Sequence, residues 1–488
     1  MLRRPSSRRW LVHDPDGETG RGQRKQTAIE SGGMDMPLSF SPGKVSDDAR
    51  RLTSCIIGAN GATGNLALEA VSAVEMHLLQ RGWPVGESLG ALPEVQKSLG
   101  LGRPSCREAV IILEARGLLN VRRGPGGGLF VAAPTADDVV NSMLMYLAIS
   151  GASRVCIQEF RLLVWRMIAE AAIDRGLGAP ATAASAGEWG FAVDLAQRIG
   201  NPAMVLAAQI AEMLVRACQG RPAPECDVLL EQALSARDTR RAFARLKDLA
   251  VPMELAPPLL ALEALERSVA RSGPKSAMAL AARMTREMIL RPEQLEAESE
   301  TAERLGYSEV VVRQARRILQ EFGVVRCQRG RKGAHWGPPD SAAGVIRLLA
   351  PCLIASGMST RDNAEAANFL ACNAPRLAAA RAADSGGGQT RVMGSFASSL
   401  ELIDLIRVEN LLLDLACNPL LSIMTRSLGL ANLLSPKARI SLQRRVEIVA
   451  INHRILRAVE NGDAESAGCL ARAKGEIHQS EASHRKLA

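Results

Sequence analysis

LGLGRPSCREAVIILEARGLLNVRRG, residues 99–124, is the stretch that decides how this chain is read. Gly100 stops one short helix, because glycine takes a left-handed cap at no steric cost. Pro104 then sits in the first turn of a second helix, where its missing N–H is one the helix leaves unbonded anyway. Ala109, Ile112 and Leu113 follow at i, i+3, i+4 and make an apolar stripe for a core. Arg103 and Arg107 stand one turn apart, on a face turned away from that stripe. Gly117 ends the helix, and LLNV, RRGPGGG and LFV then read as a strand, a Gly-rich turn and a returning strand. The sequence predicts a helix-turn-helix followed by a β-hairpin. That is a winged helix, and its second helix is sized for the major groove of DNA.

The same local logic recurs at a constant offset of 206: residues 305–330 read LGYSEVVVRQARRILQEFGVVRCQRG. Without a gap, Leu99/Leu305, Gly100/Gly306, Arg107/Arg313, Ala109/Ala315, Ile112/Ile318, Leu113/Leu319, Gly117/Gly323, Arg123/Arg329 and Gly124/Gly330 coincide. Upstream, Leu89/Leu295, Ala91/Ala297 and Glu94/Glu300 keep the register. An internal repeat of this kind predicts a duplicated module.

Composition bounds what such modules do. The 488 residues are enough for about three domains at ~150 residues each. With 47% hydrophobic and 23% charged residues, most of the chain can fold around a core. Aromatics are only 3%, which excludes an aromatic-caged sugar binder or a base-stacking single-strand binder. Lys+Arg 60 against Asp+Glu 51 gives a net charge of +9, which suits a polyanionic partner and equally a basic solvated surface. No stretch is apolar enough to span a membrane; Gly344 to Met358 comes closest and contains Arg347. The ten cysteines include no CxxC pair, so reduced thiols and a cytoplasmic protein are expected. Residues 1–62 lack a sustained apolar period and read as a flexible tail, with Arg3, Arg4, Arg8 and Arg9 either solvated or brushing DNA phosphates. Removing residues 1–60 is therefore expected to leave folding intact.

Residues 66–133 resemble the GntR-type winged-helix transcriptional regulators, and about 275–338 resembles the same module more weakly. The segments that follow each resemble the all-helical ligand-binding domain of the FadR/FCD branch. EWGFAVDLAQRIGNPAMVL (188–206) and LIRVENLLLDLACNPLL (405–421) carry its helix ending in Asn-Pro. LLEQALSARDTRRA (229–242) and ILRAVENGDAESA (455–467) carry its helix junction, with Asp238 and Asp463 placed to cap the next helix. EFRLLVWRMIAEAAI (159–173) resembles its opening helix. The resemblance implies a mainly α fold with two winged helix-turn-helix domains, each followed by an all-helical FCD-like bundle. Its parts would be a tail (1–62), winged helix one (63–135), helical domain one (136–265), a diverged winged helix two (270–338) and helical domain two (340–488).

Arg103, Ser105 and Arg107 are the leading DNA-binding candidates, because arginine forks onto guanine or phosphate and serine donates to a phosphate oxygen. The family's motif has serine before the first arginine and threonine after it, where Gly102 and Ser105 stand; an arginine of the preceding helix is replaced by Pro93. The wing adds Arg122, Arg123 and Gly126. A nucleotide-cradling loop is excluded there, since no Lys-Ser/Thr follows and the glycines lead into a strand. In the second copy Glu309 replaces Arg103, while Arg313, Arg316, Arg317, Arg329, Arg331 and Lys332 stay basic. Two readings remain open: weaker or altered DNA contact, or a structural partner for the first copy.

The resembled helical domain holds a divalent metal through one Asp and three His. Those positions carry Glu188, Ala192, Asp227 and Leu249 in the first copy, and Leu405, Glu409, Asn452 and Lys474 in the second. Asp404, His453 and His478 lie nearby, out of register. Neither set supplies converging ligands, so no metal or other cofactor is expected. Arg161 and Arg166 are candidate carboxylate partners for an effector, or else members of interhelical ion pairs.

The expected protein is a DNA-binding transcriptional regulator acting on double-stranded DNA, responsive to a small carboxylate-type effector, and arranged as an internal pseudo-dimer or a homodimer. The rival is a ligand-binding or scaffold protein without operator recognition. An enzyme is not expected, for no nucleophile–base pair or nucleotide loop emerges.

Overall fold

The computed structural model describes residues 47–58, 66–177, 190–219, 227–250, 262–263, 276–290, 296–327, 334–336, 341–384, 395–433 and 440–484. The chain is mainly helical. Helix α1 (Asp47–Ile57) precedes a helix-turn-helix made of α2 (Leu66–Gln80), α3 (Leu92–Leu99) and α4 (Arg103–Ala115). Strands β1 (Ser88–Gly90), β2 (Leu119–Arg122) and β3 (Gly128–Val131) form an antiparallel sheet of order β1-β3-β2, with Leu119 facing Val131 and Arg122 facing Gly128. A helical layer follows: α5 (Ala136–Ile149), α6 (Val155–Asp174), α7 (Phe191–Ile199), α8 (Pro202–Gln219), α9 (Val228–Ser235) and α10 (Thr239–Leu249).

The order then recurs. Helices α11 (Ser276–Leu290), α12 (Glu298–Leu305) and α13 (Glu309–Glu321) lead into the paired strands β4 (Val325–Cys327) and β5 (Ala334–Trp336). After them come α14 (Ala343–Ala355), α15 (Thr360–Asp384), a 3-10 turn at Ser395–Ser398, α16 (Leu402–Leu415), α17 (Pro419–Leu433), α18 (Leu442–Glu460) and α19 (Ala464–His484).

The local devices behind α3–α4 and α12–α13 match. Glu94 accepts from the Ala91 N–H at 2.8 Å and Glu300 from the Ala297 N–H at 3.0 Å, so each short helix starts on a carboxylate three residues in. Gly100 (φ 63°) and Gly306 (φ 71°) end those helices in the left-handed region, which turns the chain into the longer helix. Ala109, Ile112 and Leu113 are buried, and so are Ala315, Ile318 and Leu319. Both stripes join one apolar core that runs from α1 to α17, while a smaller core lies among α15, α16, α18, α19 and the 3-10 turn.

The two halves pack along a reciprocal seam. Asn201 caps α8 by accepting from Ala203 and Met204, and its Nδ2 donates to the Asp362 carbonyl and to Glu365 on α15, both at 3.1 Å. Asn418 accepts from Leu421 at the start of α17, and its Nδ2 donates to the Cys156 carbonyl (3.1 Å) and to Glu159 on α6 (3.0 Å). Arg175 grips Glu365 at 2.7 Å while Arg381 grips Glu159 at 2.5 Å. Contacts of this i-to-j, j-to-i kind are the mark of a twofold interface. Asp238 accepts from Arg241 and Asp463 from Ser466, both as helix caps, in line with the sequence reading.

Part of the expected tail is a folded element. Thr53, Ile56 and Ile57 of α1 are buried against α14, α16 and α17, and Asn410 donates to the Cys55 carbonyl at 2.7 Å. The signal was there, with Leu52/Ile56 and Thr53/Ile57 at i, i+4 on one face, but the sequence reading missed it because the pattern lasts only 11 residues beside a polar, Gly- and Ser-rich stretch. Residues 1–46 lie outside the described residues. Among those that are described, no helix is long and apolar enough to cross a membrane.

Candidate nucleic-acid interface

Helix α4 begins at Arg103, with Gly102 in extended backbone just before it and Pro104 in the first turn. Cys106, Ala109, Val110, Ile112 and Leu113 turn inward and fix the helix's rotation. That rotation leaves Arg103 and Arg107 exposed on the outer face, with Ser105 half-buried between them. Neither arginine has an ion-pair partner among the described residues. A cation at the start of a helix is unfavourably placed against the backbone dipole. An approaching anion would relieve that.

The wing stands beside this helix. Arg122 is exposed, and its guanidinium lies 4.1 Å from the centroid of the Phe130 ring, which orients it. Arg123 and Gly126 are exposed at the tip. A Cβ at Gly127 would meet the Arg122 carbonyl oxygen at 2.5 Å, so the tight turn that presents both arginines requires glycine there. Arg103, Ser105, Arg107, Arg122, Arg123 and Gly126 thus occupy one module built from α4 and the β2–β3 hairpin.

The second module differs. Glu309 is exposed where α13 begins. Arg313 pairs with Glu298 at 2.9 Å; Arg316 donates to the Glu296 carbonyl at 2.5 Å and to the Thr301 hydroxyl at 2.9 Å. Arg317 reaches across to Glu108 of α4 at 2.5 Å. Arg329, Arg331 and Lys332 lie outside the described residues.

Sequence reasoning missed what joins the two modules. Arg116, at the end of α4, contacts Glu75 of α2 and lies 2.7 Å from Glu321 of α13; Arg347 of α14 reaches Glu75 at 2.7 Å and Glu321 at 2.8 Å. The Arg116, Glu75 and Glu321 side chains are 1%, 3% and 4% exposed. Burial raises the Glu321 carboxyl above the usual range, and the two guanidiniums oppose that. Each half contributes one arginine and one glutamate, and the charges cancel. The available signal was Glu75, a carboxylate among Val71, Val74 and Leu78 on the buried side of α2.

In the first helical layer Arg161 is committed. Its Nε and Nη2 donate to Glu212 at 3.0 and 2.6 Å, the Trp165 indole N–H donates to the same carboxylate at 2.8 Å, and the guanidinium lies over the Trp165 ring. Of the two readings open for Arg161, effector contact or interhelical ion pair, the second is the one its contacts match. Among the described residues Arg166 has no carboxylate partner: its Nε is buried and unpartnered, and its guanidinium is 5.3 Å from the Phe243 ring centroid. Burial, and then Arg376, push its pKa below the usual arginine range.

The residues at the metal positions of the resembled domain do not fit a divalent cation. In the first half Ala192 is buried apolar surface, and Asp227 caps α9 while pairing with Arg245; Glu188 lies outside the described residues. In the second half Glu409, Asn452 and Lys474 do meet: the Lys474 ammonium contacts the Glu409 carboxylate and donates to Asn452 Oδ1 at 2.9 Å. An ammonium among the donors repels a metal ion and takes its place as the cation. Asp404 pairs with Arg407, and His453 with Ser398. No group of three or more His, Cys, Asp or Glu suited to a metal occurs among the described residues.

No family model matches the chain, and no curated protein matches it. Among solved structures, a GntR from Streptococcus agalactiae is similar at 17% identity and a TM-score of 0.31, over 42% of this chain and 99% of that one. A likeness so slight transfers neither fold nor function.

Proposed function

We propose that the chain is a sequence-specific regulator of transcription that binds double-stranded DNA, a GntR-type protein of the FadR/FCD branch in tandem-duplicated form. What supports this most is the Arg103–Arg107 face of α4, without ion-pair partners among the described residues, beside an arginine-tipped hairpin. Helix α4 enters a major groove, where Arg103 and Arg107 fork onto guanine edges or phosphates and Ser105 donates to the backbone. Arg122 and Arg123 track the neighbouring phosphates from the wing. The helical layers hold the two modules together and take a small carboxylate-type effector, for which Arg166 is the remaining candidate contact. An effector changes DNA occupancy only if it binds two arrangements of the chain with different affinity. As a regulator the protein works in the cytoplasm and is not an enzyme.

The test is binding of the full chain to a random double-stranded library across a salt series, with an Arg103→Ala/Arg107→Ala double variant alongside. Selection of a defined sequence, affinity falling with salt, and a loss of about tenfold or more in the variant are expected. If the contacts are to phosphate, the salt slope falls by about 1 for each one removed. Sequence-blind binding that the double variant leaves unchanged would sink the proposal and favour a scaffold or ligand-binding protein.

A further inference from the structure

We propose that the second helix-turn-helix is a fixed partner for the first and reads no DNA, so that one chain recognises a single asymmetric half-site. The inference rests on the DNA-reading function proposed for α4.

Three observations carry it. The first is charge. All three arginines of α13 have partners within the chain: Arg313 with Glu298, Arg316 with the Glu296 carbonyl and Thr301, and Arg317 with Glu108. Exposed pairs such as Arg313–Glu298 break easily. Breaking this one, however, frees a carboxylate beside the exposed Glu296, Glu300, Glu303 and Glu309, and a phosphate backbone meets repulsion there. In the first module, among the described residues, Glu94 is the counterpart of Glu300, but Gly90, Leu92, Lys97 and Arg103 stand where Glu296, Glu298, Glu303 and Glu309 do, and Glu108 is held by Arg317.

The second observation is the joint. Glu75, Arg116, Glu321 and Arg347 form a buried network with members from both modules. Pulling the modules apart would strand buried charges on each side, which is strongly unfavourable. The two modules therefore move as one body.

The third is the contact between the helices. Helix α13 touches α4 through Arg317 and Glu108 at 2.5 Å, so one of its arginines is spent on the reading helix itself and α13 lies along that helix's flank as a brace. A palindromic operator would need two chains.

The experiment selects operators for the full chain from random double-stranded DNA, then titrates duplexes trimmed to one copy of the selected motif. Native mass spectrometry counts the chains bound. The expected result is an asymmetric motif, one chain per motif, and affinity within about twofold of the parent for Arg313→Ala and Glu309→Gln, against a loss of about tenfold or more for Arg103→Ala. Melting curves for each variant check that it is folded. An inverted repeat whose two halves are both required by a single chain would overturn the inference, as would a tenfold loss in Arg313→Ala. A tenfold loss in Glu309→Gln would overturn it too, by showing that this carboxylate reads a cytosine amino group. Absence of any motif, with Arg103→Ala binding like the parent, would instead remove the DNA-reading function and this inference with it.

Discussion

Helices α4 and α13 are built by the same devices and present opposite surfaces. Both follow a short helix started by a glutamate and ended by a left-handed glycine, and both bury Ala, Ile and Leu at matching positions. Outward, α4 shows exposed arginines with no ion-pair partner among the described residues, whereas α13 shows Glu309 and arginines already bonded to their own chain. A helix thus separates its duties by face: the inward residues fix where it sits, and the outward ones decide what it can touch. One duty can lapse while the other continues. The helical layers repeat the lesson, with Arg161, Trp165 and Glu212 closing one interior and Lys474, Glu409 and Asn452 meeting in the other.

Three perturbations would break or sharpen this contrast. The largest effect is expected at the joint. Arg116→Ala leaves Glu75 and Glu321 without one of their two cations, and should cost about 3–5 kcal/mol in a urea titration. A cost below 1 kcal/mol would mean that the modules are held by apolar contact alone.

Next comes the asymmetry at the chain's start, since α1 has no counterpart ahead of α11 among the described residues. Deleting residues 1–58 exposes the sites that Ile56 and Ile57 fill, for a loss of roughly 3 kcal/mol in thermal or urea unfolding. Unchanged stability would return α1 to the status of a tail.

The smallest effect is a pH dependence peculiar to the second half. Burial drives the Lys474 ammonium down to about 8, and the nearby Cys372 opposes that. Below pH 8 the lysine is charged in folded and unfolded chains alike, so stability is flat. Between about 8 and 10.4 the unfolded chain binds the extra proton, and stability from this group rises with pH. Relative to Lys474→Met, the parent should gain on the order of 1 kcal/mol between pH 7.5 and 9.5. Buried thiols such as Cys156 and Cys352, pushed up to about 12, act in the opposite sense in both proteins and cancel in the difference. A flat difference would show that Glu409 keeps the ammonium charged throughout.

Much of this was legible in the sequence because it is local. Gly100, Gly117, Pro104 and the Ala109–Ile112–Leu113 stripe act over a turn or two, as do the caps at Asp238 and Asp463. What was not legible depends on partners far away along the chain. Glu75 meets Arg347 across 272 positions, and Asn418 meets Glu159 across 259. No periodicity can announce such a meeting. Arg161 shows the same limit from the other side: its residue type left a ligand and an ion pair equally open, and only packing supplied Glu212 as its partner.

The seam of Asn201, Glu365 and Arg175 against Asn418, Glu159 and Arg381 joins two stretches of one polypeptide. In an assembly of two identical chains, every change of residue appears on both sides of the axis and must be tolerated twice. Here each side varies alone, so a change such as arginine to glutamate at the tip of one helix leaves its counterpart untouched. The linkage also makes pairing independent of dilution, since the two sides remain at the same effective concentration however scarce the protein is.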